Sequence, residues 1–74
     1  MNENEFVEKM VELMDTEAEL TMDTELAEVE EWDSLSYVAF LAMARANSDR
    51  KVKPIDVRNA KTVRDLYNIM VGER

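Results

Sequence analysis

The residues best suited to chemistry stand together as Trp32-Asp33-Ser34-Leu35, directly before a segment that we predict to be helical. We predict that Asp33 caps this helix, because its carboxylate can accept hydrogen bonds from backbone N–H groups two or three residues on. Ser34 is then the first helical residue, with an accessible hydroxyl, and a phosphate ester on it would face free N–H groups and the positive end of the helix dipole. The alternative interpretation is an ordinary serine at a helix start, since Asp-Ser-Leu occurs by chance in roughly one chain in a hundred of this length.

Many other kinds of chemistry are excluded by composition. The 74 residues contain no Cys and no His, which removes disulfides, thiolate nucleophiles, imidazole bases and the usual zinc ligands. Any thiol chemistry must therefore come from an attached group. Pairs of carboxylates are numerous, but in an acidic helical protein they are far more often solvated surface than a general acid and base. We expect that the chain is not an enzyme, and a small enzyme in its own right is the weakest hypothesis.

The charge of the chain is divided unevenly along its length. Residues 1–33 hold 13 acids against Lys9 alone, a net charge of −12, whereas residues 34–74 hold 4 acids and 8 bases, a net charge of +4. This division argues against nucleic acid as a partner, because phosphate binding needs a large basic face, and it favours basic protein surfaces. A solvated acidic face that keeps a small protein soluble is an equally good explanation.

Neither a membrane segment nor a signal peptide is indicated by the sequence. It has no apolar run of about 18 residues, and Glu3, Glu5 and Glu8 stand where a signal peptide carries basic residues. We therefore expect a cytoplasmic location and no membrane partner.

The spacing of apolar residues predicts a single all-α domain, residues 1–74, with three longer helices, one short third helix and a long loop between helices one and two. The first helix covers residues 2–14, and Asn2 with Glu5 can form a capping box at its start. Residues 15–33 lose the helical period, and we predict a long connection with a short helical turn near residues 25–30. Spaced apolar residues should hold this connection against the core: Leu20, Met22, Leu26, Val29 and Trp32.

The second half of the chain predicts three helices. One runs from Ser34 to about Asn47, and Pro54 can open a short helix through Asn59 because proline fits the first helical position. Thr62 and a carboxylate three residues on form a second capping-box pattern before the last helix, which Gly72 is expected to end. Apolar residues expected to anchor the last two helices are Val52, Ile55, Val57, Val63, Leu66, Tyr67 and Met70.

The second helix is apolar on two faces. One set of apolar residues with helical spacing is Tyr37, Phe40, Leu41 and Ala44, and the other is Leu35, Val38, Ala39, Ala42 and Ala46. A short chain can scarcely enclose a helix that is apolar nearly all round. One face is therefore a candidate partner surface.

These features together resemble the acyl carrier protein family. The likeness covers essentially the whole acidic chain: Trp32-Asp33-Ser34-Leu35 follows a helix and a long loop, and it precedes Pro54 and Thr62-Val63-Arg64-Asp65-Leu66. The resemblance implies a monomeric four-helix bundle whose Ser34 receives 4′-phosphopantetheine from coenzyme A through a phosphopantetheinyl transferase. It further implies that the thiol of this arm carries an acyl or aminoacyl group as a thioester between activating and transfer enzymes.

The resemblance also makes the second helix the recognition helix. It implies partner-facing roles for Asp33, Leu35, Ser36, Val38, Ala39, Ala42 and Arg45, and a core position for the set that contains Phe40. Some family members hold acyl chains between the second and third helices, so Phe40 and Ile55 are candidates to line such a cavity. Plain core packing is the interpretation that we prefer for both.

Several positions depart from the pattern of fatty-acid carriers. Glu31 stands where those carriers commonly have Gly, Trp32 stands where Ala is frequent, and Ser36, Ala39, Arg45 and Ala46 replace acidic residues of their recognition helix. Such losses should weaken salt-dependent docking onto basic enzyme surfaces, which favours a carrier in a specialised biosynthetic pathway. The competing hypothesis is an unmodified acidic helical adaptor that binds a partner through the apolar face of residues 35–46.

Overall fold

The architecture is a bundle of four helices, as predicted. The computed structural model describes residues 2–17, 19–47 and 52–71, and its helices are α1 (Glu3–Met14), α2 (Ser34–Asn47), α3 (Pro54–Asn59) and α4 (Val63–Val71). A short 3₁₀ turn, Leu26–Glu28, lies in the long connection between α1 and α2. The part of the chain described here contains no strand, only an isolated antiparallel bridge between Glu25 and Thr62. None of its helices combines the length and the apolar content needed to cross a membrane.

The helix starts follow from local side-chain chemistry. At α1, Asn2 Oδ1 accepts from the Glu5 N–H at 2.8 Å while the Asn2 N–H donates to Glu5 Oε1 at 3.0 Å, which confirms the predicted capping box. At α4, Thr62 Oγ1 accepts from the Asp65 N–H and the Thr62 N–H donates to Asp65 Oδ2, both at 3.2 Å. The C′ role predicted for Gly72 lies outside the described residues.

Aromatic residues organise the core at the centre of the bundle. Phe6 of α1 meets Phe40 of α2 edge to face with ring centroids 6.3 Å apart, and it meets Tyr67 of α4 at 5.2 Å. Phe40 is fully buried, so the prediction that it packs in the core is confirmed. The other large side chains that are almost completely enclosed are Met10, Val57, Val63 and Leu66.

The connection between α1 and α2 is fastened to the body of the protein along its length. Leu20, Met22, Leu26 and Val29 are buried and Trp32 is half-buried, as their spacing predicted. The sequence did not predict that this connection also pairs with the start of α4. Three backbone hydrogen bonds make that pairing: Leu26 N–H to Lys61 O at 2.8 Å, Val63 N–H to Thr24 O at 3.1 Å, and Arg64 N–H to Met22 O at 2.8 Å.

The prediction that Ile55 anchors α3 is wrong. Val52 and Val57 are buried, but the Ile55 side chain is 55% exposed. Residues two positions apart on a helix point about 200° apart, so Ile55 and Val57 cannot both face the core. Ile55 therefore does not anchor this short helix in the core.

Candidate functional site

The start of α2 presents Ser34 as the sequence predicted. Asp33 Oδ1 accepts from the Ser36 N–H at 3.1 Å, and the Asp33 carbonyl accepts from the Tyr37 N–H at 2.9 Å. Ser34 is the first helical residue and is exposed. Within residues 2–17, 19–47 and 52–71 its hydroxyl has no hydrogen-bond partner, and neither do the N–H groups of Ser34 and Leu35. The site thus offers a free hydroxyl beside two free N–H donors.

Two hydroxyl groups hold the approach to this site in place. Thr16, just after α1, donates from Oγ1 to Glu31 Oε1 at 3.0 Å, and Ser36 Oγ donates to the Glu31 carbonyl. Both hydroxyl-bearing residues are buried. Glu31 therefore links the end of α1 to the first turn of α2. These two hydrogen bonds fix the position of the backbone that leads into Ser34.

The partner-facing role expected for Ser36 is wrong. Its side chain is only 5% exposed. Ser36 lies four residues before Phe40, so the two share the helix face that packs against the core. Its hydroxyl is satisfied by the Glu31 carbonyl and is not presented to a partner.

The other residues expected to face partners stand at or near the surface. Leu35 is 81% exposed and Val38 is 60% exposed, and Asp33, Ala42 and Arg45 are also exposed, whereas Ala39 is half-buried. On the opposite side of α2, Phe40 and Ala44 are fully buried, and Tyr37 and Leu41 are half-buried at the edge of the core. The two faces predicted for α2 are therefore present. The outer one, defined here by Leu35, Val38 and Ala42, is the exposed apolar face.

A groove of about 360 Å³ opens beside Ser34, between the start of α2 and α3. Its lining residues are Trp32, Asp33, Ser34, Tyr37, Val57 and Arg58. Tyr37 Oη donates to the Pro54 carbonyl at 3.1 Å, and the guanidinium carbon of Arg58 lies 6.0 Å from the centroid of the Tyr37 ring. The sequence reasoning missed Arg58. The available signal was that Arg58 follows Pro54 by four residues, which places both on one side of α3.

Comparisons with protein-family models, with curated proteins and with solved structures returned no match for this chain. The motif around Ser34 and its geometry therefore carry the functional argument.

Proposed function

We propose that this chain is a carrier protein that accepts a 4′-phosphopantetheine arm on Ser34. The observation that carries the proposal is the exposed hydroxyl of Ser34 on the first residue of a 14-residue helix. This hydroxyl has no hydrogen-bond partner among the described residues. In a carrier the chemistry is done by other proteins, and this chain contains no Cys or His with which to do it alone. The expectation of a cytoplasmic location belongs with this proposal and stays a prediction.

The residues at the start of α2 suit a phosphodiester. The N–H groups of Ser34 and Leu35 have no partner among the described residues and can donate to its oxygens, and the helix dipole favours negative charge at this end. Asp33 bears a like charge, but its Oδ1 already accepts from the Ser36 N–H. Capping explains why a carboxylate stands here, and an anion bound nearby needs a compensating positive charge.

The attachment reaction that we propose is a displacement at phosphorus. Ser34 Oγ forms a bond to the phosphorus of coenzyme A that bears the pantetheine, while the bond from that phosphorus to the bridging oxygen of the pyrophosphate breaks. The 3′-phosphoadenosine 5′-phosphate half leaves with the electron pair, and the hydroxyl proton passes to a base of the transferase. Once attached, the arm supplies a terminal thiol that can carry an acyl or aminoacyl group as a thioester.

The exposed apolar face of α2 supports a role in docking enzymes next to Ser34. Leu35 and Val38 are large apolar residues that the fold leaves in solvent, and they follow Ser34 by one and four positions. The same exposure favours a second candidate function, an unmodified adaptor that binds one partner through this face. The two functions differ only in whether Ser34 is modified.

The deciding experiment is incubation with coenzyme A and a broad-specificity phosphopantetheinyl transferase, followed by intact-mass measurement. We expect one added arm on the wild type and none on Ser34→Ala. Thr21→Ala is the control, because Thr21 carries an exposed hydroxyl on the connection between α1 and α2, and this variant should still gain one arm. An unmodified wild type, under conditions that load a known carrier, would overturn the proposal in favour of the adaptor.

A further inference from the structure

The groove beside Ser34 has a composition that the motif alone does not explain. Its lining includes the aromatic residues Trp32 and Tyr37, both half-buried, and its charged residues are Asp33 and Arg58. A groove that combines an aromatic wall with a cation suits a ligand with an anionic group beside an apolar one. Its volume of about 360 Å³ lies near the lower end for small-molecule sites, so it suits a small group.

Arg58 lies near the Tyr37 ring. The Tyr37 ring is fixed through its hydroxyl, which donates to the Pro54 carbonyl, and the guanidinium lies over the face of that ring. In the part of the chain that the structure describes, no carboxylate lies within ion-pairing distance of Arg58. The N–H donors of this guanidinium are therefore available, in the planar arrangement that matches phosphate oxygens.

Arg58 can also offset the charge of Asp33, since both residues line the groove. Arg45 stands eleven residues along α2 from Ser34, about 16 Å away at 1.5 Å per residue. Arg64 pairs with Glu3 at 3.4 Å and with Asp23 at 3.5 Å. Arg58 is the base that lines the groove together with Ser34.

We propose that this groove binds the first part of the arm attached to Ser34, and that Arg58 pairs with its phosphodiester. The branched apolar carbon next to that phosphate, which bears two methyl groups, packs against the rings of Trp32 and Tyr37. This inference rests on the proposed function, and it assigns Arg58 and Tyr37 as positioning residues for the arm and not for its cargo. By holding the base of the arm, the groove limits the directions in which the distal thiol can extend.

The test is NMR spectroscopy of the loaded wild type, Arg58→Gln and Arg58→Lys, with Arg45→Gln as the matched control. Arg45→Gln removes the same charge at a site remote from the groove. In the wild type we expect nuclear Overhauser contacts between the two methyl groups of the arm and the ring protons of Trp32 and Tyr37. Arg58→Gln should lose these contacts and shift the phosphorus resonance, Arg58→Lys should keep part of both, and Arg45→Gln should match the wild type.

The possible results separate the two proposals. If the wild type gains the arm but shows no methyl contacts, or if Arg58→Gln retains them in full, the groove assignment is wrong while the carrier function stands. If no arm is attached to Ser34 at all, both proposals fail. Amide spectra of each variant show whether it is folded. If Arg58→Gln does not fold, the test is made on the methyl contacts of the wild type and of Arg58→Lys.

Discussion

The starts of α2 and α4 are chemically similar but are used differently. At α4 each of the first four N–H groups is paired: Val63 with Thr24 O, Arg64 with Met22 O, Asp65 with Thr62 Oγ1, and Leu66 with Thr62 O. At α2 the N–H groups of Ser36 and Tyr37 are paired with Asp33, whereas those of Ser34 and Leu35 have no partner among the described residues. The four N–H groups that open a helix always need partners, from the chain, from water or from a ligand.

This difference separates a structural helix start from one that is open to a ligand. The connection after α1 closes the start of α4, and in doing so it becomes fixed to the body of the protein. The same connection ends at Trp32 and Asp33, which lead into α2. The start of α4, whose N–H groups are all paired, therefore supports the start of α2, because it holds the segment that presents Ser34.

The largest effect on stability is expected from weakening the packing between the connection and the start of α4. Leu26 is 3% exposed, and its N–H donates to Lys61 O at the approach to α4. Leu26→Ala should lower the free energy of unfolding by about 2 to 5 kcal/mol, because it removes buried apolar volume and leaves a cavity. Urea denaturation measures this value. Leu35→Ala, at an 81% exposed position, is the control and should change stability by less than about 0.5 kcal/mol. Equal effects of the two substitutions would contradict the anchored connection.

Amide hydrogen exchange should distinguish the two starts directly in the unmodified protein. Val63 and Arg64 donate to backbone carbonyls, whereas the N–H groups of Ser34 and Leu35 have no acceptor in the described part of the chain. A hydrogen bond worth about 1.4 kcal/mol corresponds to roughly tenfold protection, so we expect the α4 amides to exchange at least that much more slowly, relative to intrinsic rates. Comparable protection at Ser34 and Leu35 would show that the start of α2 is also closed.

A smaller effect is expected from removing the cap of α4. Thr62 Oγ1 accepts from the Asp65 N–H at 3.2 Å. Thr62→Ala should cost about 0.5 to 2 kcal/mol of stability, and Thr62→Ser, which keeps the hydroxyl, should recover most of it. Arm attachment at Ser34 should persist in both variants, because the connection retains its backbone bonds to α4. A loss of attachment in a folded Thr62→Ala would show that the two starts are coupled more tightly than these contacts imply.

Helix boundaries were predictable because their signals are local. The capping boxes at Asn2 and Thr62, the proline at Pro54 and the Asp33 cap each act within four residues, and the helices begin where these signals place them. The position of Ser34 at a helix start could be predicted for the same reason. The family resemblance and the modification of Ser34 stay predictions, since these structural features do not test them.

The contacts that sequence reasoning missed depend on long-range packing. The pairing of the connection with α4 uses backbone groups alone, so no side chain marks it in the sequence. Ser36 was expected outside, but its register with Phe40 placed it inside, and the Glu31 carbonyl made burial of the hydroxyl acceptable. Arg58 joined the site only because α3 packs beside Tyr37.

The smallest effect on stability is expected on the exposed apolar face next to the open start. Val38 is 60% exposed, so Val38→Glu should change the free energy of unfolding by no more than about 0.5 kcal/mol. The same substitution should slow arm attachment, because it places a charge where we propose that the transferase buries an apolar residue. Ala27→Glu is the control, since it adds the same charge at an exposed position on the connection. Equal attachment rates for the two variants would mean that the transferase does not use this face, whereas a large loss of stability in Val38→Glu would mean that Val38 supports the fold.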